Sequence, residues 1–186
     1  VEAGVLVGHA GPVRAVAFDA TGMLAATATG SPDGVLRVFD VGTGRPPGGE
    51  AIHRYEVGAT VESIAFAPDG RRLLAVAGGR AIVWDFGVAR GVVTVRQPGR
   101  VPAAAFPADG RAVVTAGDDE RLRLWHARDG RQLWISERLG NPLLGLDVDP
   151  GGERVACSLV GGRVRVHRLK DGRPLFDLDG HDGDVP

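Results

Sequence analysis

The sequence predicts an all-β chain built from four copies of one four-stranded antiparallel unit. Short apolar runs rich in Val, Ala, Leu and Thr alternate with clusters of Gly, Pro, Asp and Ser, as in GHAGPVRAVAFDATGMLAATATGSPDGVLRVFD over residues 8–40. That is the pattern of short strands and tight turns. No segment carries a sustained apolar stripe at helical spacing. The same layout returns at a nearly constant step, and a fixed period governs how every local feature is read.

The period is set by an apolar residue five positions before a Phe or its equivalent. These anchors are Val13, Val61, Val101, Leu143 and Val185, at steps of 48, 40, 42 and 42 residues. Turns follow in phase: FDATG at 18–22, FAPDG at 66–70, FPADG at 106–110 and VDPGG at 148–152. So do the closing triplets Val38-Phe39-Asp40, Val83-Trp84-Asp85, Leu124-Trp125-His126 and Val166-His167-Arg168. The connectors GTGR, RDGR and KDGR add a fourth marker. In the first unit the strands are expected at about 12–18, 23–29, 35–40 and 51–57. The units span about 8–57, 58–97, 98–139 and 140–179, in one domain over 1–186. Residues 1–7 read as the outer strand of a preceding unit, and 180–186 as the start of another. A four-stranded unit of about 40–45 residues fits a β-propeller blade better than a sandwich sheet.

On these marks the chain resembles the WD-repeat (WD40) β-propeller family over essentially its whole length. The first copy matches best, through Gly8-His9, Thr29, Asp33 and Phe39-Asp40. The third keeps Thr115, Asp119 and Trp125, the second only Trp84-Asp85, and the fourth the spacing alone. The resemblance implies a buried hydrogen-bonded chain in which a turn Asp accepts from a His, the His bonds a strand hydroxyl, and the hydroxyl meets a Trp indole. Carried over, it assigns His9, Thr29 and Asp33 to one network and Thr115, Asp119 and Trp125 to another. Phe39 has no N–H to give, so the first chain is expected to end at Thr29. Gln97 falls at the His position of the third unit and is expected to donate through its amide. Satisfied networks of this kind rigidify a blade.

Composition narrows the function. The 186 residues are long enough for a core, and their 44% apolar content is ordinary for a globular domain. A formal net charge of −1 gives no basic footprint, so no nucleic-acid partner is expected. No run of 18 apolar residues is present, so no membrane partner is expected. With no visible signal peptide, a cytoplasmic location is expected. Cys157 is alone and reads as a packed strand residue. Many Arg, Ala, Gly and Pro with a single lysine, Lys170, suggest a GC-rich bacterial source.

Catalytic and cofactor motifs are absent. There is no P-loop, H-E-x-x-H, C-x-x-C or G-x-S-x-G, and the five His lack metal-ligand spacing. No cofactor or metal is expected. The acidic residues Asp177, Asp179, Asp182 and Asp184 are in the wrong order for a calcium loop. The His-Asp-Thr set is no triad, because its hydroxyl lies mid-strand with no oxyanion site beside it. A propeller enzyme needs titratable groups on its innermost strands, and AVAF, SIAF, AAAF and GLDV offer only Asp147.

The expected function is therefore a non-catalytic scaffold for protein–protein interaction. The resemblance places partner contacts on the face carrying the turn Asp residues. The matching positions are Pro12, Arg14 and Pro32; Thr60 and Glu62; Arg100, Pro102 and Asp118; and Pro142, Leu144 and Val160. It also allows a regulatory propeller within a larger bacterial protein kinase or NTPase. The GTGRPPGGEA connection reads as an exposed insertion, and Trp134 as packing between neighbouring blades. Rings of this type hold about seven blades, roughly 290 residues at this step. The chain is thus expected to be part of a longer propeller, or half of a homodimer.

Overall fold

The computed structural model describes residues 6–30, 32–42, 50–88, 91–179, 181 and 183–184. Among these described residues sixteen strands form four sheets, each with its strands in chain order and antiparallel. The first holds β1 (Val13–Phe18), β2 (Leu24–Thr29), β3 (Val35–Asp40) and β4 (His53–Glu56). The second holds β5 (Val61–Phe66), β6 (Arg72–Ala77), β7 (Arg80–Asp85) and β8 (Gly91–Val95). The third holds β9 (Ala103–Ala105), β10 (Ala112–Ala116), β11 (Leu122–His126) and β12 (Gln132–Ile135). The fourth holds β13 (Leu143–Val148), β14 (Arg154–Leu159), β15 (Val164–Arg168) and β16 (Pro174–Leu178). These are four four-stranded antiparallel propeller blades. Leu6 and Val7 pair with none of them; the rest of the expected outer strand, residues 1–5, lies outside the described residues. So do 43–49 of the long connection, and 180, 182, 185 and 186.

Consecutive sheets pack face to face, with β1 against β5 and β9 against β13. Each junction has its own apolar core. Ala26, Ala28, Leu36 and Val38 meet Val61, Leu73, Ala75 and Ile82 between the first two sheets. Leu74, Ala81, Val83 and Val95 meet Val101, Val113 and Trp125 at the next. Val114, Leu122 and Leu124 meet Leu143, Val155, Cys157 and Leu159 at the last. The second sheet is buried on both faces, so its middle strands read as near-continuous runs, LLAVA and AIVW, without polar alternation. The other surfaces of the end sheets retain exposed apolar groups, with Phe18 69% and Leu178 51% exposed.

Backbone bonds tie the sheets at one end. The turn carbonyl of Gly79 accepts from Val101 N (3.2 Å), and that of Gly117 from Leu143 N (3.2 Å). At the first junction Gly34 turns with φ +54°, and a Cβ there would lie 2.9 Å from Ala59 O. Only glycine satisfies both the positive φ and that approach.

Leu122→Ala, at a wholly buried junction position, is expected to cost about 2–5 kcal/mol in a urea melt. Leu178→Ala is expected to stay within about 0.5 kcal/mol of the parent. Equal losses would contradict the junction as the seat of the core.

Candidate functional site

The end of each sheet that carries the β2–β3-type turn and the loop entering the first strand gathers the polar side chains. In the first sheet His9 Nε2 lies 2.6 Å from Thr27 Oγ1, and Arg37 Nη1 donates to His9 Nδ1 (2.7 Å). The same Nη1 donates to Asp33 Oδ2 (3.0 Å). Because the guanidinium can only donate, His9 Nδ1 is the acceptor and Nε2–H donates to Thr27. Thr29 Oγ1 lies within hydrogen-bond distance of Asp33 Oδ2 (3.0 Å) and Val35 O (3.2 Å), and it accepts from Val35 N (2.9 Å). Burial, aided by the Arg37 charge and opposed by Asp33, holds the His9 pKa below its ordinary value. The Arg37 bond holds the Asp33 carboxyl below its ordinary range, against desolvation.

This corrects the sequence assignment in two respects: Arg37, not His9, donates to Asp33, and the hydroxyl that meets His9 is Thr27, not Thr29. Strand register explains the second. Thr27 stands opposite Arg37 as Thr115 stands opposite Arg123. Six residues separate Thr27 from Asp33 but four separate Thr115 from Asp119, so counting back from the turn Asp lands two positions late. Thr29 corresponds instead to Gly117.

In the third sheet Trp125 Nε1 donates to Thr115 Oγ1 (2.8 Å), which donates to Gln97 Oε1 (2.7 Å). Gln97 thus accepts from the hydroxyl and spends its amide N–H on Ala116 O (3.2 Å). Asp119 is not hydrogen-bonded into that chain; Arg123 grips both its oxygens, at 3.0 and 2.5 Å. A Cβ on Gly117 would lie 2.2 Å from Asp119 Oδ1 and 2.6 Å from Gln97 Nε2, so only glycine admits both.

Arg37 and Arg123 are the residues the sequence reading missed. Each lies four positions after the turn Asp and is buried, 6% and 3% exposed. Their alternation with the apolar residues of RVFD and RLW was the available signal. The second sheet has Ala75 and Ile82 at the Thr and Arg positions. The fourth has Cys157 and Arg165, with His167 at the Trp position. Desolvation pushes the Cys157 thiol up to about 12, a packed and unreactive group. His167 is fully buried, with Nδ1 on Gly172 O (2.9 Å) and Nε2 unpartnered. Trp134 bridges the last junction, donating to Leu169 O (2.7 Å).

The proposed contact residues surround these networks. Pro12, Arg14, Pro32, Glu62, Arg100 and Asp118 are exposed, and Thr60, Pro102, Pro142, Leu144 and Val160 half-buried. The two loops of one sheet are stitched together by Gly30 N to Pro12 O (3.3 Å), Asp118 N to Arg100 O (3.2 Å) and Val160 N to Pro142 O (3.0 Å). Arg100 N donates to Asp118 Oδ1 (2.8 Å), and its guanidinium reaches across the junction to Glu62 Oε1 (3.6 Å). Among the described residues no cluster of His, Cys, Asp and Glu could hold a metal, and no helix is long and apolar enough to cross a membrane.

A family model described as WD domain, G-beta repeat matches residues 2–40, 49–85 and 92–126, more than half of the chain. The chain belongs to the WD40 family. The match ends at residue 126, but the fourth blade beyond it has the same strand order as the three matched. The guanine nucleotide-binding protein subunit beta of Oryza sativa subsp. indica is 33% identical over 135 residues, covering 63% of this chain and 33% of the relative. The Nicotiana tabacum protein of that name is 33% identical over 132 residues, with the same coverage. The WD repeat-containing protein RUP2 of Arabidopsis thaliana is 31% identical over 166 residues, covering 82% of this chain and 43% of the relative. The chain thus spans about a third of the length of the G-protein beta subunits it matches. These relatives are plant proteins and lend no support to a bacterial source.

Two outcomes test the networks. Asp33→Ala strands the buried Arg37 charge and is expected to cost about 3 kcal/mol in a chemical melt. Asp171→Ala, in an exposed connector, is expected to superimpose on the parent. The second outcome concerns pH. Desolvation lowers the folded-state pKa of both His167 and His9, so the unfolded chain takes up protons first. Stability is therefore complete above the unfolded value of about 6.5 and falls as the pH drops through it. For His167 the Arg165 charge adds to this, while the Gly172 bond, Asp177 and Glu137 oppose it. His167→Gln is expected to flatten the decline of the urea midpoint between pH 7 and 5; an unchanged slope would remove His167 as its source.

Proposed function

We propose that this WD40 array is a non-catalytic scaffold that holds protein partners on the end of its blades carrying the turn Asp residues. The observation that carries this is the continuous polar rim across a blade junction. There Arg100 spans from the third blade to Glu62 of the second, on loops held rigid by the backbone bonds and networks beneath them. Arg14 occupies on the first blade the place that Glu62 has on the second, exposed beside Gly30. Exposed charges on a rigid frame suit partner selection and steering. The WD40 match and the G-protein beta and RUP2 relatives support an interaction role. The first strands, poor in titratable groups, support the absence of catalysis.

The triple change Arg14→Glu, Glu62→Arg, Arg100→Glu reverses the rim charge while preserving the Arg–Glu pair across the junction. Proteins captured by the parent from a lysate of the source organism are expected to lose at least tenfold in recovery on the variant, quantified by mass spectrometry. The melting curve is expected to be unchanged. Equal recovery of every captured protein would count against a site on this rim.

A further inference from the structure

The opposite end of the third and fourth blades holds a cleft of about 820 Å³. It lies between the turns that join first to second strands, Pro107–Arg111 and Gly151–Glu153, and the connector at Leu169–Lys170. A difference between repeats opens it. At the preceding junction Arg72 lies over the Phe106 ring, 5.7 Å from its centroid, and is held there by Asp69 Oδ2 at 2.6 Å. Register places Ala112 where the second blade has Arg72, and Val148 where it has Phe66 and the third blade has Phe106. Two small side chains thus stand where the preceding junction has a stacked guanidinium and an aromatic ring; Ala112 lines the cleft, while Val148 packs against the junction core.

The walls have a definite chemistry. Leu124 and Leu169 form a buried apolar floor, and Leu133 and Leu175 stand half-exposed at the mouth. Arg111, Arg154, Arg168 and Lys170 line the cleft against two carboxylates, Asp109 and Glu153. Arg168 is paired with Asp171 (3.3 Å). Among the described residues the side chains of Arg111 and Lys170 form no ion pair, and Arg154 has none within 4 Å, its charge acting on Asp149 at longer range. Asp109 is already occupied, accepting from Arg111 N at 2.9 Å. The cleft is therefore cationic in a chain whose net charge is −1, and its free charges surround an apolar slot.

We propose that this cleft is a second docking site, for a short acidic peptide segment that inserts one bulky apolar side chain beside Ala112 and sets its carboxylates on Arg111, Arg154 and Lys170. The apolar anchor supplies most of the affinity, and the unpaired cations select acidic over basic flanks. The site is independent of the rim at the other end of the blades.

The test is fluorescence anisotropy on the whole chain. The probes are fluorescein-labelled peptides carrying Glu and Asp around a single Leu, Phe or Trp, with a matched set carrying Lys in place of the acids. Saturable binding confined to the acidic set, weakening with added salt, is expected. Arg154→Glu with Lys170→Glu, both exposed, should weaken it at least about tenfold with an unchanged melt. Ala112→Arg, which restores the plug of the preceding junction, should abolish it. If that variant fails to melt cooperatively, the double reversal alone decides. The rim triple variant should bind the peptides as the parent does, so the two sites fail separately. No saturation by any acidic peptide, equal binding of the Lys set, or affinity that survives the double reversal would overturn the proposal. So would self-association of the chain that the double reversal abolishes, since a second copy would then be the occupant.

Discussion

The constraint on which the rest depends is that a blade apolar on both faces cannot bury either one by itself. The second sheet shows this most plainly, with alternate residues of LLAVA facing the first sheet and the third. Stability therefore resides in junctions rather than in sheets, as expected of a stacked repeat. The junctions also determine where polar chemistry can be placed. Thr27, Arg37, Thr115, Arg123 and Trp125 all point to the face that precedes their own sheet. Their hydroxyls, guanidiniums and indole are buried and must find partners there.

The two developed networks solve that problem differently from the expected chain. In each, an arginine four residues beyond the turn Asp neutralises it at short range. The Asp does not depend on an imidazole, and the imidazole or amide at the loop is free to meet the strand hydroxyl. In the first blade the arginine joins both halves by donating to His9 and Asp33 at once. In the third the halves stay separate, because Arg123 uses both nitrogens on Asp119. The second blade packs Ala75 and Ile82 in the same places, and the fourth has Cys157 and an Arg165 that pairs with Asp177 of its outer strand in place of a turn Asp. A buried ion pair contributes more to a defined arrangement than to net stability. That accounts for a fold tolerating its loss in half of the blades.

The ends of the blades are chemically distinct as a result. The end with the turn Asp residues is braced from below by networks and carries exposed charges on stitched loops. The opposite end is shaped by whatever fills the space between adjacent turns. Repeats that diverge at a few positions, such as Arg72 against Ala112 and Phe106 against Val148, close one junction and leave a site at the next. Function in such an array is written in the differences between copies, and the common frame keeps those differences in fixed positions.

The period, the turns and the alternating runs were enough to place sixteen strands in four sheets. A strand's burial pattern and its glycine turns are local properties, and four copies in phase make them legible. His9, Asp33 and Trp125 stand out for the same reason, as marks at fixed distances, whereas Asp119 stands apart from the Thr115 chain it was assigned to. Which hydroxyl meets His9 was not, because it depends on cross-strand register. A two-residue difference in turn length is invisible until Thr27 is seen opposite Arg37. The burial of Arg37 and Arg123 was not legible, since only packing against a neighbouring element removes a strand arginine from water. For the cleft beside Ala112 the sequence offered only the difference between Arg72 and Ala112 in aligned repeats, not the space it leaves. Arg72 and Phe106, on different sheets, meet at one junction, while smaller side chains, Ala112 and Val148, hold those places at the next, and distances between sheets are decided by tertiary packing alone.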